Sequence, residues 1–217
     1  MFVLNQSKSI ANQFLAELRD IHIQKDSMRF RKNLERLGEI MAYEVSKSLA
    51  YQNKEITTPL QTTSLAVLAD QPVLIGILRA ALPFFQGFLN FYDQAESGFI
   101  GAYRQEKKTN GEEAIEIDFL YQAAPSIEGK EVILIDPMLA TGKSYVTSIE
   151  HLLKNGTPKK IHIVSVIGAP EGIAYIGQNT KIPIQFWICA IDEKLNDQAY
   201  ILPGLGDAGD LSFGEKI

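Results

Sequence analysis

The spacing of apolar and polar residues differs between the N-terminal part of the chain and the remainder. In the N-terminal part, apolar residues recur every three or four positions, which predicts amphipathic helices over residues 8–20 and 27–50. Further along, short runs that are apolar nearly throughout predict strands buried on both faces of a sheet, at residues 73–78, 99–104, 114–121, 131–136, 161–169 and 182–191. Between some of these runs the helical spacing returns, over residues 82–95, 142–155 and 171–178.

This alternation of strands and helices predicts an α/β fold, with a mainly parallel sheet flanked by helices and preceded by an N-terminal helical segment. Asn110-Gly111 is a strong two-residue hairpin signal, so a protruding β-hairpin arm is expected around it. No repeat or linker divides the sequence, and we expect a single domain over residues 1–217. Such sheets bind ligands beyond the carboxyl ends of their strands, which draws attention to the loops after strands 73–78, 131–136 and 182–191.

Composition narrows the classes of protein that fit this pattern. Of the 217 residues, 46% are hydrophobic and 22% charged, and the net charge of −5 argues against nucleic acid or an anionic membrane as a partner. The apolar stretch 73–92 contains Arg79 and Pro83, so it is expected to form a strand and a helix and not a membrane span. Cys189 is the only cysteine, and the N-terminus does not resemble a secretory signal. We therefore expect a protein of the reducing cytoplasm, with Cys189 as an inert buried thiol.

The sequence EVILIDPMLATGKS, residues 131–144, predicts a strand, a loop and a helix, and it ends in the Gly-Lys-Ser of nucleotide-binding P-loops. A P-loop needs a glycine five positions before Gly142, where this chain has Pro137, which lacks an N–H group. Asp136 would oppose a bare triphosphate, whereas its carboxylate can accept hydrogen bonds from ribose hydroxyls. The N–H groups at the following helix start can bind a monophosphate. The residues favour a ribose 5-phosphate site, although an ordinary helix start capped by Thr141 also fits them.

Three segments of the chain together resemble the uracil phosphoribosyltransferase family: DPMLATGKS at 136–144, APEGI at 169–173 and YILPGLGDAGD at 200–210. The first is similar to that family's loop for phosphoribosyl pyrophosphate (PRPP), and the last to its base-recognition segment. The resemblance runs from about Val73 to Phe213. It implies a type I phosphoribosyltransferase fold and the conversion of uracil and PRPP to UMP and pyrophosphate in pyrimidine salvage, with Mg²⁺ carried by PRPP.

The resemblance also implies roles for individual residues that match these motifs. Arg79 and Arg104 would contact the pyrophosphate of PRPP and stabilise it as it leaves. Asp207 would lie near PRPP and could assist loss of the base proton. Uracil would be contacted by Ile201, Gly206, Asp207 and Ala208. The PRPP-binding set comprises the two arginines, Asp207 and the residues Asp136, Pro137, Met138, Leu139, Ala140, Thr141, Gly142, Lys143 and Ser144.

A few residues depart from the family pattern or have a more ordinary expected role. Lys143 stands where the family commonly has glycine, and it is expected to point to solvent because backbone donors already bind the phosphate. Ala81 and Pro83 follow Arg79 where the family has glycines, so a stiffer pyrophosphate loop is expected. Asp192 is expected to cap or solvate the end of its strand. Histidine, cysteine and acidic residues show no metal-ligand spacing, so no resident metal is predicted.

Two other functions remain open at this level. One is a regulator with the same fold that binds nucleotide or RNA with weak or no catalysis, which the net charge of −5 and the intact segment GLGDAG disfavour. The other is a P-loop kinase or GTPase, which Pro137 disfavours. The resemblance implies a homodimer or larger homo-oligomer, and it leaves open an activation by GTP that some relatives show.

Overall fold

The computed structural model describes residues 1–109 and 112–215, and between 102 and 120 it describes only backbone. Its helices are α1 (Ala11–Arg19), α2 (Ser27–Ser46), α3 (Ala81–Leu89), α4 (Lys143–Leu152), α5 (Pro170–Asn179) and α6 (Ala208–Phe213). Its strands are β1 (Phe2–Val3), β2 (Tyr51–Thr57), β3 (Thr62–Leu68), β4 (Val73–Leu78), β5 (Ser97–Thr109), β6 (Glu112–Ala123), β7 (Glu131–Ile135), β8 (Met138–Leu139), β9 (Lys160–Gly168), β10 (Ile184–Ile191), β11 (Lys194–Leu195) and β12 (Ile201–Leu202).

The main sheet is mostly parallel. Its strands lie in the order β1-β10-β9-β7-β4-β5-β6, and the short β8 continues beside the end of β9. The pairs along this order are parallel except for β5 and β6, which form an antiparallel ribbon. The predicted ribbon is therefore confirmed, while the turn predicted at Asn110-Gly111 lies outside the described residues.

Helices cover both faces of this sheet. Successive residues of β7 alternate between two apolar clusters, because side chains along a strand point to opposite faces. One cluster contains Leu34 and Met41 of α2 together with Phe84 of α3, and α1 and α6 pack on the same side. The other contains Tyr145 and Ile149 of α4, with α5 beside them. Burial on both faces explains why the strands read as continuous apolar runs.

The helices and strands predicted in the sequence are confirmed, with shifts at their ends. β4 spans the predicted residues 73–78. α2 begins at the predicted Ser27 because the Asp26 carboxylate accepts hydrogen bonds from the N–H groups of Met28 and Arg29, at 3.1 and 3.0 Å. α2 and α3 end earlier than predicted, and β5 and β6 extend further along the ribbon.

A second hairpin, which the pattern did not predict, separates α2 from the main sheet. β2 and β3 pair antiparallel from Tyr51–Leu68 to Thr57–Thr62 and form a two-stranded sheet of their own. Most of their side chains are exposed, and Leu60 in the connecting turn is 95% exposed. Only the end of β3, at Leu68, packs on the core, so the rest of the hairpin is not held to an alternation of apolar and polar positions.

The apolar stretch 73–92 forms β4 and α3, as expected. Among the residues that the structure describes, no helix combines the length and the hydrophobicity needed to cross a bilayer. Cys189 is buried in β10, and burial raises the pKa of its thiol, so the prediction of an inert core residue is confirmed.

Candidate active site

The carboxyl ends of the parallel strands bring the predicted site segments to one edge of the sheet. Arg79 follows β4 directly, and Asp136 follows β7. α5 begins just after β9, and Asp192 follows β10 and leads into the small hairpin formed by β11 and β12. This is the edge at which open α/β sheets bind their ligands.

The phosphate loop, residues 136–144, is held against β9 by its own backbone. The carbonyl of Pro137 accepts hydrogen bonds from two successive N–H groups of β9, each at 3.0 Å. The Asp136 carboxylate accepts a hydrogen bond from the N–H of Met138 at 3.0 Å, which orients it at the end of β7. The loop then leads into the N-terminus of α4, where the first N–H groups of a helix have no partner within the helix.

Two glycines allow the phosphate loop and α5 to approach closely. Gly142 has a left-handed backbone (φ 77°), and a Cβ there would lie 2.6 Å from the carbonyl oxygen of Gly172. A Cβ on Gly172 would lie 2.1 Å from the carbonyl oxygen of Ala140. The start of α5, within the APEGI segment, therefore supports the phosphate loop directly.

A buried group of hydroxyls fixes the backbone of Asp136. The Ser165 hydroxyl donates to the Asp136 carbonyl at 2.6 Å, and the Tyr145 hydroxyl lies 2.9 Å from the same oxygen and 2.6 Å from the Ser165 hydroxyl. Tyr145 is only 1% exposed, and burial raises the pKa of its phenol well above the usual value, so it remains a neutral donor. Both residues lie within apolar patterns, which is why the sequence did not single them out.

Arg79 faces the C-terminal helix α6. Its Nη2 pairs with Asp210 Oδ1 at 2.7 Å and donates to the Gly214 carbonyl at 3.0 Å. Its Nε is buried without a hydrogen-bond partner among the described residues. Ala81 and Pro83 form the first turn of α3, where proline is tolerated, so they belong to the helix and not to the loop that was expected to be stiffened.

The base-recognition segment, residues 200–210, runs from the end of the β11–β12 hairpin into α6. Ile201 and Ala208 are buried, at 4% and 1% exposure, so their side chains pack into the core. Asp207 caps α6, because its Oδ1 accepts hydrogen bonds from the N–H groups of Gly209 (2.8 Å) and Asp210 (3.0 Å). The last residues of this glycine-rich segment therefore form the start of a helix.

Asp192 also differs from its prediction as a solvated or capping residue. Its side chain is only 5% exposed, and it forms a bidentate ion pair with Arg19 of α1, at 2.6 and 2.9 Å. The same carboxylate accepts a hydrogen bond from the N–H of Gly204 in the base-recognition segment, at 2.8 Å. The two charged residues are 173 positions apart in the chain, so no local pattern could reveal the pair.

Glu171, Lys143 and Arg104 lie on three different elements around the site. Glu171, at the start of α5, accepts a hydrogen bond from the N–H of Leu195 in β11 at 3.0 Å, so the APEGI segment also contacts the hairpin that carries the base-recognition segment. Lys143 is partly buried in the first turn of α4. Arg104 lies on β5, and its side chain lies outside the described residues.

Comparison with known proteins agrees with this architecture. The family model for uracil phosphoribosyltransferase matches residues 5–215. A uracil phosphoribosyltransferase from Porphyromonas gingivalis is 46% identical over 214 residues and covers 99% of this chain and 98% of that protein. One from Pyrococcus furiosus is 39% identical over 209 residues and covers 94% of this chain and 86% of that protein.

Among solved structures, the AQ2163 protein from Aquifex aeolicus matches with a TM-score of 0.86 and 32% identity, covering 100% of both chains. The predicted fold class, a mainly parallel sheet flanked by helices as in type I phosphoribosyltransferases, is confirmed. None of these matches supports the regulator that the sequence alone left open. The family match spans the phosphate loop, the APEGI segment and the base-recognition segment together, and the chain belongs to the uracil phosphoribosyltransferase family.

Proposed function

We propose that the described edge of the sheet is the active site in which this pentosyltransferase converts uracil and PRPP to UMP and pyrophosphate. One observation supports the proposal above the others. Asp136, oriented at the end of β7, and the first N–H groups of α4, which have no partner within the helix, belong to one loop that a close-packed helix supports. A carboxylate for ribose hydroxyls and a backbone site for the 5′-phosphate in one loop match the phosphoribosyl group.

The two ends of the phosphate loop then bind different parts of PRPP. Asp136 accepts hydrogen bonds from the ribose hydroxyls. The N–H groups of the residues from Ala140 to Ser144 bind the 5′-phosphate, helped by the positive end of the α4 dipole and by the hydroxyls of Thr141 and Ser144. Pro137, Met138 and Leu139 form the wall of the loop along β9. Lys143 is expected to remain at the solvent side, because the backbone supplies enough donors.

Pyrophosphate is proposed to bind to Arg79 and Arg104. The buried Nε of Arg79 has no partner among the described residues, so an incoming phosphate oxygen would satisfy it. Asp210 holds the other side of the same guanidinium at 2.7 Å and thereby limits its rotation. Arg104, on the β5–β6 ribbon, is proposed as the second guanidinium, and Arg is suited to the task because its planar fork matches phosphate oxygens.

Uracil is proposed to lie against the main chain of the base-recognition segment. The edge of uracil presents an acceptor, a donor and an acceptor. Backbone N–H and C=O groups near Ile201, Gly206 and Ala208 can supply the complementary donors and acceptor. The buried side chains of Ile201 and Ala208 fix that backbone from the core side. Specificity then rests on backbone position, and a small displacement of the segment would weaken the choice of base.

The chemical step is a displacement at the anomeric carbon of the ribose, in which positive charge develops on the sugar and negative charge on the leaving pyrophosphate. The two arginines stabilise that negative charge with groups already in place, and the base-recognition segment holds the attacking nitrogen over the anomeric carbon. Phosphoribosyltransferases generally use Mg²⁺ with PRPP. We propose that the ion enters on PRPP, which offers the oxygen ligands that Mg²⁺ prefers.

Asp207 is proposed to assist removal of the base proton. Asparagine caps helices as well as aspartate does, so Asp207→Asn keeps the cap of α6 and removes only the charge. We expect kcat to fall about a hundredfold, the usual range for loss of a general base, with unchanged thermal stability. Asp207→Ala removes the cap as well. An Asp207→Asn enzyme with nearly full turnover would exclude the role.

The partners of the chain are proposed to be small substrates and a second copy of itself, in the cytoplasm, without nucleic acid. An isolated two-stranded hairpin is marginal in water, yet β2–β3 exposes Tyr51, Leu60 and Leu65. Burial of this hairpin against a partner subunit would resolve that contradiction, which supports a homodimer or larger homo-oligomer. Activation by GTP remains a proposal from the resemblance, to be tested by adding GTP to the assay.

The test of the proposed site is UMP formation from PRPP, Mg²⁺ and a panel of free bases, measured for the natural chain and for Asp136→Ala and Asp136→Asn. We expect product with uracil alone. Asp136→Ala should lower kcat/KM for PRPP about a hundredfold or more, because two charge-assisted hydrogen bonds are lost. Asp136→Asn keeps the acceptor for Met138 and should lose less. Full activity of Asp136→Ala would contradict the assignment of the phosphate loop, and RNA binding without any product would favour the regulator.

A further inference from the structure

The base-recognition segment is fixed in its middle by two residues that lie outside the three segments resembling the family, Arg19 and Asp192. Arg19 and Asp192 form a closed ring of hydrogen bonds with the main chain of Gly204. The N–H of Gly204 donates to Asp192 Oδ2 at 2.8 Å, and Arg19 Nη1 donates both to that oxygen (2.9 Å) and to the carbonyl of Gly204 (3.0 Å). Arg19 Nη2 donates to Asp192 Oδ1 at 2.6 Å. Both main-chain polar groups of one buried residue are thus held by one ion pair.

The ring is itself anchored to the sheet. The N–H of Asp192 donates to the carbonyl of Gly168, the last residue of β9, at 2.8 Å, and the neighbouring N–H of Glu193 donates to Leu202 at 2.9 Å. Asp192 is therefore fixed between the ends of two central strands and the small hairpin. A carboxylate with 5% side-chain exposure is retained only when it is paired and hydrogen-bonded, so its burial requires Arg19.

The N-terminal segment also comes near the base-recognition segment two residues further along, at Gly206. Gln24 donates from Nε2 to the Leu18 carbonyl at 3.1 Å, which folds the chain after α1 back on the helix. Its Oε1 lies 3.9 Å from the position that a Cβ on Gly206 would occupy. The segment from Arg19 to Gln24 thus contacts the base-recognition segment at Gly204 and lies near it at Gly206.

We infer that Arg19 and Asp192 are positioning residues for base recognition, and that α1 is part of the uracil site and not only of the core. The inference rests on the proposed assignment of uracil to residues 201–208. Gly204 lies between Ile201 and Gly206, so movement at Gly204 changes the spacing of the main-chain groups on both sides of it. Displacements well under 1 Å are enough to weaken such a constellation, on the order of 0.5 Å being the usual tolerance.

The test uses Arg19→Gln and Arg19→Lys in the complete chain, with steady-state kinetics in which uracil and PRPP are varied separately. We expect the KM for uracil to rise about tenfold or more in Arg19→Gln, the loss typical of a charge-assisted hydrogen bond. The KM for PRPP should change less than about twofold, within the usual effect of a distant surface change. Lysine can reach the carboxylate but cannot hold it and the Gly204 carbonyl in one fork, so Arg19→Lys should restore only part of the loss.

The matched control is Arg29→Lys, because Arg29 forms an ion pair with Glu17 of the same helix α1 that does not involve the base-recognition segment (3.1 Å). It should leave both KM values unchanged. Selectivity gives a second readout: the ratio of kcat/KM for uracil to that for 2-thiouracil should fall in the Arg19 variants. Asp192→Asn, which keeps an acceptor for Gly204 but faces the guanidinium without charge, should show the same signature.

The kinetic results distinguish a failure of the role inferred for Arg19 from a failure of the proposed assignment of uracil to residues 201–208. If Asp207→Ala raises the KM for uracil and folded Arg19→Gln does not, the inference is wrong and the assignment of the segment stands. If neither variant changes the KM for uracil, the segment does not bind the base and both are wrong. If both KM values rise together with a loss of melting temperature, Arg19 acts on stability alone, which also overturns the inference.

Discussion

The two halves of the site are held in different ways. The phosphate loop is supported from the middle of the chain: its backbone bonds to β9, its Asp136 carbonyl bonds to Tyr145 and Ser165, 9 and 29 residues away, and its far end starts α4. The base-recognition segment is supported by Glu171, 24 residues from its partner Leu195, and also by Arg19, 185 residues from Gly204. The difference between the two segments is therefore Arg19, a side chain from the other end of the chain that fixes the main chain of the base-recognition segment.

Gly172→Ala should have the largest effect. It should displace the phosphate loop and so raise the KM for PRPP. The new Cβ would lie 2.1 Å from the Ala140 carbonyl oxygen, so backbone must move, and such overpacking costs about 1–3 kcal/mol. The KM for PRPP should rise about tenfold or more, with the KM for uracil less affected. Gly177→Ala in the same helix is the control: nothing lies within 4 Å of the added Cβ. It should stabilise the protein by about 0.5–1 kcal/mol. Equal behaviour of the two variants in urea unfolding and kinetics would contradict the packing argument.

Glu171→Ala should have an intermediate effect, and it should change the KM for uracil and not the KM for PRPP. Residue 171 is adjacent to Gly172, but its carboxylate accepts the N–H of Leu195 in the hairpin that carries the base-recognition segment. Loss of this bond should raise the KM for uracil about two- to tenfold, the range for one hydrogen bond, and leave the KM for PRPP unchanged. Glu171→Gln keeps an acceptor and should lie between. A rise in the KM for PRPP alone would remove the distinction between the two halves of the site.

Acidic pH should have the smallest effect. It should lower the stability of the folded chain without favouring either the phosphate loop or the base-recognition segment. His162 is fully buried, accepts from Trp187 Nε1 at Nδ1 (3.0 Å) and contacts Glu131 through Nε2 (2.9 Å). Burial lowers its pKa below the usual 6.5, and Glu131 offsets this only in part. The unfolded chain therefore binds a proton that the folded chain does not, and stability falls as the pH drops below 6.5.

The free energy of unfolding should fall by about 1.4 kcal/mol for each unit by which the folded pKa lies below the unfolded value. Urea unfolding between pH 7.5 and 5 measures it, and His162→Gln should lose this slope. The ratio of the two KM values should stay constant over the same range. A slope that persists in His162→Gln would assign the effect to other groups.

The residues explain which parts of this molecule were predictable. Three features could be predicted because the residues that form them are neighbours in the sequence. An apolar run indicates β4, the Asp26 cap indicates the start of α2, and the Asp136-Pro137 pair indicates the phosphate loop. The β2–β3 hairpin could not, since both of its faces are exposed and no periodic pattern is imposed on it. The pairing of Arg19 with Asp192 could not either, because it depends on the three-dimensional meeting of chain segments 173 residues apart.

The start of α5 has a consequence for how the binding of one substrate affects the affinity for the other. Gly172 contacts the phosphate loop and Glu171 contacts the hairpin of the base-recognition segment, so one rigid helical turn contacts both sites. We expect occupation of the phosphate loop to change the affinity for uracil through this turn. Thermodynamic linkage is reciprocal, so uracil must then change the affinity for PRPP by the same factor. Titrating each ligand in the presence of an unreactive analogue of the other would give that single coupling free energy twice.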